Sequence, residues 1–148
     1  MRRWMVAVLV TLLMVGTAVA EVEPLDTSGY AGRWSNKHFQ LRLTDDGHAV
    51  AEFGLAVWCG PAAPRPCDEI DQDGTIQPGG LAALTFTEAR EGALAGRVDW
   101  STSRNGTLTT GEPIVLRFRA DGTAELGSEG ERVRIRLCGT STAGQCGF

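Results

Sequence analysis

The chain has 148 residues, of which 43% are hydrophobic and 22% charged, with a formal charge of −4. That balance excludes a disordered chain, a collagen and a multi-span membrane protein, and predicts one folded domain. Arginine outnumbers lysine 13 to 1, and the three methionines all fall at or before Met14, so the first segment differs in kind from the rest.

Residues 1–20 read as a secretory signal peptide. Arg2 and Arg3 supply the positive start, Trp4 to Val15 the apolar stretch, and Ala18-Val19-Ala20 a small-x-small cleavage site. Gly16-Thr17 interrupts the apolar run before it reaches the roughly 20 residues of a membrane span, so no stable membrane insertion is expected after cleavage. A chain starting at Glu21 carries 12 basic against 18 acidic side chains, a charge of −6, which argues against nucleic acid as a partner. The expected location is secreted or periplasmic. A short leader, 21–29, then precedes a single domain, 30–148.

Strand periodicity runs through almost all of that domain, and no stretch shows convincing helical spacing. Gly32-Arg33-Trp34 opens the first strand. This resembles the G-x-W signature of calycin-type barrels, the lipocalins and avidins, which are secreted and often hold a ligand in the barrel mouth. Avidins extend the signature to G-x-W-x-N, and Asn36 stands at that place. The Ser that accompanies this Asn in avidins is absent from Lys37 to Leu43, and the lipocalin helix and second motif are absent too.

Phe39, Leu41 and Leu43 alternate with polar residues, Asp45-Asp46-Gly47 makes a turn, and Ala49, Ala51 and Phe53 alternate on the return. A three-residue loop with Gly47 in the left-handed region pairs 43 with 49, 41 with 51 and 39 with 53, which puts every apolar residue on one face. The same design recurs 75 positions later, at Leu116 to Ala124. Between the two, Leu84 and Phe86 lead through Arg90-Glu91-Gly92 into Leu94, Val98 and Trp100, a third hairpin. Asn105-Gly106 signals a tight turn and is also a formal glycosylation sequon with Thr107. Val133, Ile135 and Leu137 form the last strand. Eight or nine short strands with tight turns predict an all-β fold, a small antiparallel up-and-down β-barrel of about eight strands, with a β-sandwich as the alternative.

Four cysteines, Cys59, Cys67, Cys138 and Cys146, imply two structural disulfides in an exported chain. Three connectivities are open; the local one, 59 with 67 and 138 with 146, is preferred. Each nine-residue loop would then contribute about 2.6 kcal/mol through chain entropy. Trp58-Cys59-Gly60-Pro61 has no second cysteine three positions on, and Pro64 and Pro66 deny the helix that would activate a thiol, so a redox site is not expected.

Candidate binding groups fall into three sets. Trp34, Trp58 and Trp100, with Asn36, would line a ligand pocket in the barrel mouth, the competing role for the tryptophans being core packing. Arg117, Arg119, Arg134 and Arg136 share an outer face, with Glu125 placed between Arg117 and Arg134. That face would dock a carboxylate, a phosphate or an acidic protein surface, or else merely keep the strands soluble. Glu69, Asp71 and Asp73 with Gly74 have the spacing of half a calcium loop. Without the closing Glu and the flanking helices an EF-hand is excluded, leaving a weak non-EF calcium loop or a solvated turn.

Motifs for metalloproteases, serine hydrolases and phosphate or dinucleotide loops are missing, and His38 and His48 lie too far apart to share a metal. Lack of alternation from Gly139 to Phe148 argues against an outer-membrane barrel. The chain is therefore expected to be a noncatalytic binding module, without cofactor or resident metal. Its ligand would be a small apolar or amphipathic molecule in the barrel mouth. The alternative is a protein-binding or inhibitor module that uses its loops or the arginine face.

Overall fold

A computed structural model of the chain describes residues 25–103, 106–130 and 133–146. The expected signal peptide, 1–20, and Asn105 of the sequon lie outside these residues. Ten strands are seen among them: β1 Gly32–Asn36, β2 Phe39–Leu43, β3 His48–Phe53, β4 Glu69–Ile70, β5 Ile76–Gln77, β6 Gly80–Arg90, β7 Ala93–Ser101, β8 Pro113–Phe118, β9 Thr123–Ser128 and β10 Arg134–Cys138. Eight of them close an antiparallel barrel in the order β1-β10-β9-β8-β7-β6-β3-β2, and β4-β5 is a separate two-stranded hairpin inserted between β3 and β6. The sandwich alternative is thereby set aside. Residues 140–145 form a short 3-10 helix joined to the barrel by Cys138–Cys146, and Cys59–Cys67 is the second disulfide.

The β2–β3 register is the one that the apolar alternation predicts: Leu43 faces Ala49, Leu41 faces Ala51 and Phe39 faces Phe53. Gly47 has φ +88°. A Cβ there would also sit 2.7 Å from the Phe86 carbonyl, so both conformation and space require glycine. The β8–β9 hairpin repeats the geometry 75 positions on, with Phe118 facing Ala124 and Leu116 facing Leu126.

The third hairpin departs from simple alternation. Ala83 pairs with Trp100 but Leu84 pairs with Val98, so Asp99 is the extra residue of a bulge. A bulge resets which face the following residue meets. Trp100, grouped by its spacing with the inward Leu94 and Val98, consequently points outward and is 48% exposed. A second correction concerns β10, where Glu125 lies between Arg117 and Arg136, two residues away from the expected Arg134. The chain between β9 and β10 is longer than the tight turn read at Glu129-Gly130, and β10 shifts accordingly.

The interior is filled by side chains. Leu41, Ala51, Ala82, Val98, Leu116, Ala124, Leu126 and Leu137 have no accessible surface, and Leu108 from the β7–β8 loop joins them. At the end that carries the β2–β3 and β8–β9 turns the leader acts as a stopper. Buried Thr27 donates its hydroxyl to the Thr44 carbonyl at 2.6 Å and accepts the Gly47 N–H at 3.1 Å. Tyr30 stacks on Phe118 with centroids 3.8 Å apart.

Candidate functional site

The tryptophans do not gather round a pocket. Trp34 alone faces inward, packed on Phe118 at 5.3 Å with its Nε1–H donated to the Tyr30 carbonyl at 2.9 Å. It serves as core at the leader end. Trp58 and Trp100 are outside, 52% and 48% exposed.

Asn36 spends both ends of its amide on the backbone. Its Nδ2 donates to the Arg136 carbonyl at 2.9 Å and its Oδ1 accepts the His38 N–H at 2.8 Å, which laces β1 to β10 where the barrel closes. Asn36, Arg134 and Arg136 nevertheless border one open recess of about 690 Å³, beside Lys37, His38 and Ile135. Its floor includes Phe39 and Phe53, only 5% and 2% exposed, so it is a hollow on a filled core.

The arginine face is partly neutralised. Arg119 pairs with Glu125 at 2.7 Å, and Arg136 reaches Asp121 at 3.4 Å. The Thr123 hydroxyl and N–H, aided by Arg136 and Arg119, hold the Asp121 carboxyl below its ordinary range. These surface pairs contribute little to stability, but they offset part of the positive charge expected of a docking patch.

The acidic residues after Cys67 do not converge. Asp71 N–H bonds the Thr75 carbonyl at 2.9 Å and Asp73 accepts the Thr75 N–H at 3.0 Å, the geometry of a tight hairpin turn. The Thr75 N–H also keeps the Asp73 carboxyl below its usual range. Among the described residues the ligand atoms close enough for one metal are those of Cys59, Cys67 and Glu69, and the two sulfurs there are bonded to each other.

A residue without a distinguishing sequence signal organises this loop. Asp68 is 3% exposed. Its carboxylate accepts the N–H groups of Leu55, at 3.0 and 2.9 Å to its two oxygens, Ala56 at 2.8 Å and Gly79 at 2.8 Å. Burial pushes its pKa up, but the N–H groups of Gly79, Leu55, Ala56 and Val57 outweigh burial and hold it below the usual value. The two ends of segment 54–79 are thus tied to one carboxylate.

The exposed apolar side chains cluster around this loop and the sheet beside it. Register places Arg42, Val50, Ala83 and Trp100 in one outward row across β2, β3, β6 and β7. At about 4.8 Å per strand the row is about 14 Å long. Leu81 stands one position nearer the loop, and Val50, Leu81 and Trp100 are 48%, 37% and 48% exposed. Thr102 links sheet and loop: its Oγ1 accepts the Leu81 N–H at 2.8 Å, and it borders a small hollow with Val57 and Arg65. Val57, Trp58, Ile70 and Ile76 add further exposed apolar surface on the loop. Val50 had a signal in the sequence, an apolar residue at a polar position of a strand; Trp100 had none without the bulge.

No family model matches the chain, and neither a curated protein nor a solved structure matches it.

Proposed function

We propose that this chain is an exported, noncatalytic binding module that recognises another protein with the outside of its barrel. One observation carries the reading: the interior is filled, while Val50, Leu81, Trp100, Val57 and Trp58 are exposed on a sheet face and an adjoining stapled loop. Exposed clusters of large apolar groups mark interaction surfaces, and tryptophan is enriched among the residues that dominate binding energy. Two disulfides and the signal-like first 20 residues support export. The closed barrel is compatible with the calycin resemblance of Gly32-Arg33-Trp34, but Trp34 spends its ring on core packing.

A second reading has one observation in its favour. The 690 Å³ recess is bordered by Lys37, His38, Arg134 and Arg136, with no carboxylate among the described residues lining it. Such a site suits a small amphipathic anion.

The test is capture by the immobilised protein from the secreted or periplasmic fraction of its source, followed by purification of the captured protein and calorimetry. Leu81→Glu and Trp100→Glu are expected to weaken its binding at least about 30-fold each, a hot-spot-sized loss. Arg117→Glu is expected to leave it nearly unchanged. Equal affinity for all four forms would overturn the reading. So would a small anion retained in the native mass spectrum and released by Arg134→Glu, which favours the recess.

A further inference from the structure

The loop from Cys59 to Cys67 combines a fixed frame with one projecting cation. Its ends are joined by the disulfide at a Cα–Cα distance of 5.1 Å. Pro61, Pro64 and Pro66 each fix a φ angle, and Ala63 N–H donates to the Gly60 carbonyl at 3.1 Å. The base is fastened by Cys59 N–H to the Asp68 carbonyl at 2.9 Å, by Asp68 N–H to the Val57 carbonyl at 2.6 Å, and by the Asp68 carboxylate.

Arg65 projects from this frame with its side chain 79% exposed. It is the sole cationic residue of segment 54–79, followed by the acids Asp68, Glu69, Asp71 and Asp73. Its guanidinium meets Glu69 at 3.1 Å, but both groups face water, and such exposed pairs are weak. A carboxylate in a drier recess would displace Glu69. An extended anionic surface is a poor partner, because the neighbouring acids repel it; a single recessed carboxylate is not.

Building on the protein-binding reading, we propose that the stapled loop inserts Arg65 into an acidic pocket of its protein partner, of the kind with which trypsin-like serine proteases accept an arginine, and so blocks that pocket. The forked guanidinium satisfies a buried carboxylate with paired hydrogen bonds. A loop already held in shape loses little conformational freedom on binding. Val57 and Trp58, 42% and 52% exposed, stand beside it to exclude water from the contact. Pro66 puts a ring on the nitrogen of the peptide bond after Arg65, which crowds the attack needed to cut it, and the disulfide would retain both ends of a cut loop.

The test uses the disulfide-intact protein against trypsin, read as inhibition of a small chromogenic substrate. Direct binding is measured with trypsin whose nucleophilic serine is replaced by alanine. Wild type is expected to bind and inhibit, Arg65→Lys to stay within about tenfold, and Arg65→Ala to lose at least about a hundredfold. Arg65→Phe should transfer binding to chymotrypsin, whose pocket is apolar. Equal melting temperatures would show that all variants fold. No binding at about 100 μM, binding that survives Arg65→Ala, or cleavage after Arg65 at the rate of an ordinary substrate would overturn the assignment. The protein-binding reading itself stands or falls on Leu81 and Trp100 in the capture experiment, so the two failures are told apart.

Discussion

Replacing Asp68 by alanine removes the one acceptor shared by the N–H groups of Leu55, Ala56 and Gly79. Hydrogen bonds to a charged acceptor contribute about 1.5–3 kcal/mol each. The low end applies here, because Leu55 and Gly79 are only half-buried and Ala56 is exposed, so water recovers part of the loss. Three donors then give about 4 kcal/mol, a large fraction of the roughly 5–15 kcal/mol that holds a domain folded. Asp68→Asn keeps one acceptor oxygen and should lose about half as much.

The sign of the pH dependence follows from the lowered pKa of this carboxyl in the folded state. Above the unfolded aspartate value of about 3.9 both states are ionised and the full contribution is present. As pH falls below that value the unfolded chain takes up the proton first, and stability declines until the folded carboxyl is protonated as well. Urea unfolding of wild type and Asp68→Asn from pH 7 down to pH 2 is the assay. Their difference in stability should be constant near neutrality and shrink toward zero in acid. A loss below about 1 kcal/mol for Asp68→Ala, or a wild type–Asn difference as large at pH 2 as at pH 7, would refute the account of Asp68 as an ionised latch.

Further outcomes follow from the packing. Gly96→Ala would place a Cβ 2.1 Å from the Thr85 carbonyl and 2.7 Å from the Phe86 Cα, both backbone, and should cost about 3 kcal/mol or more in thermal or urea unfolding. Thr27→Val keeps the shape but leaves the Gly47 N–H and the Thr44 carbonyl only their long 3.4 Å bond to each other beneath the leader; a loss of about 1 kcal/mol or more is expected, with faster hydrogen exchange at Gly47. Trp34→Ala should cost about 3 kcal/mol or more, whereas Trp100→Thr should stay within about 0.5 kcal/mol, and equal losses would contradict the inward and outward placements.

The barrel was legible because it is written in pairs. Gly47 and Gly122 fix two turns, and once a turn is fixed the period of two assigns every residue from Phe39 to Phe53 and from Leu116 to Leu126 to a face. The same rule explains the failures. At Asp99 one extra residue resets the alternation, and nothing in Arg97-Val98-Asp99-Trp100 announces it. Between β9 and β10 the length of the connection decides the register, and a turn read two residues too short misplaced Glu125 among its arginines. The loop 54–79 was harder still. Its order comes from one buried carboxylate binding three backbone N–H groups distant in sequence, and backbone donors leave no mark on side-chain pattern.

The same logic separates what a barrel reveals from what it conceals. One residue in two on each strand is committed to the interior, and hydrophobicity alone records that commitment. The other half answers only to solvent and to whatever the protein meets, so a polar residue there is uninformative and a large apolar one is the exception that needs a cause. Val50, Leu81 and Trp100 are three such exceptions on adjacent strands, none recruited by the core. Chance would scatter exposed apolar residues singly around the cylinder; here they adjoin, at the end where Asp68 and a disulfide hold a proline-rich loop in shape. The strand order of the barrel closes without the loop's own hairpin, β4-β5. On the protein-binding reading proposed above, the physical consequence of the loop's rigidity would be a surface already ordered when a partner arrives.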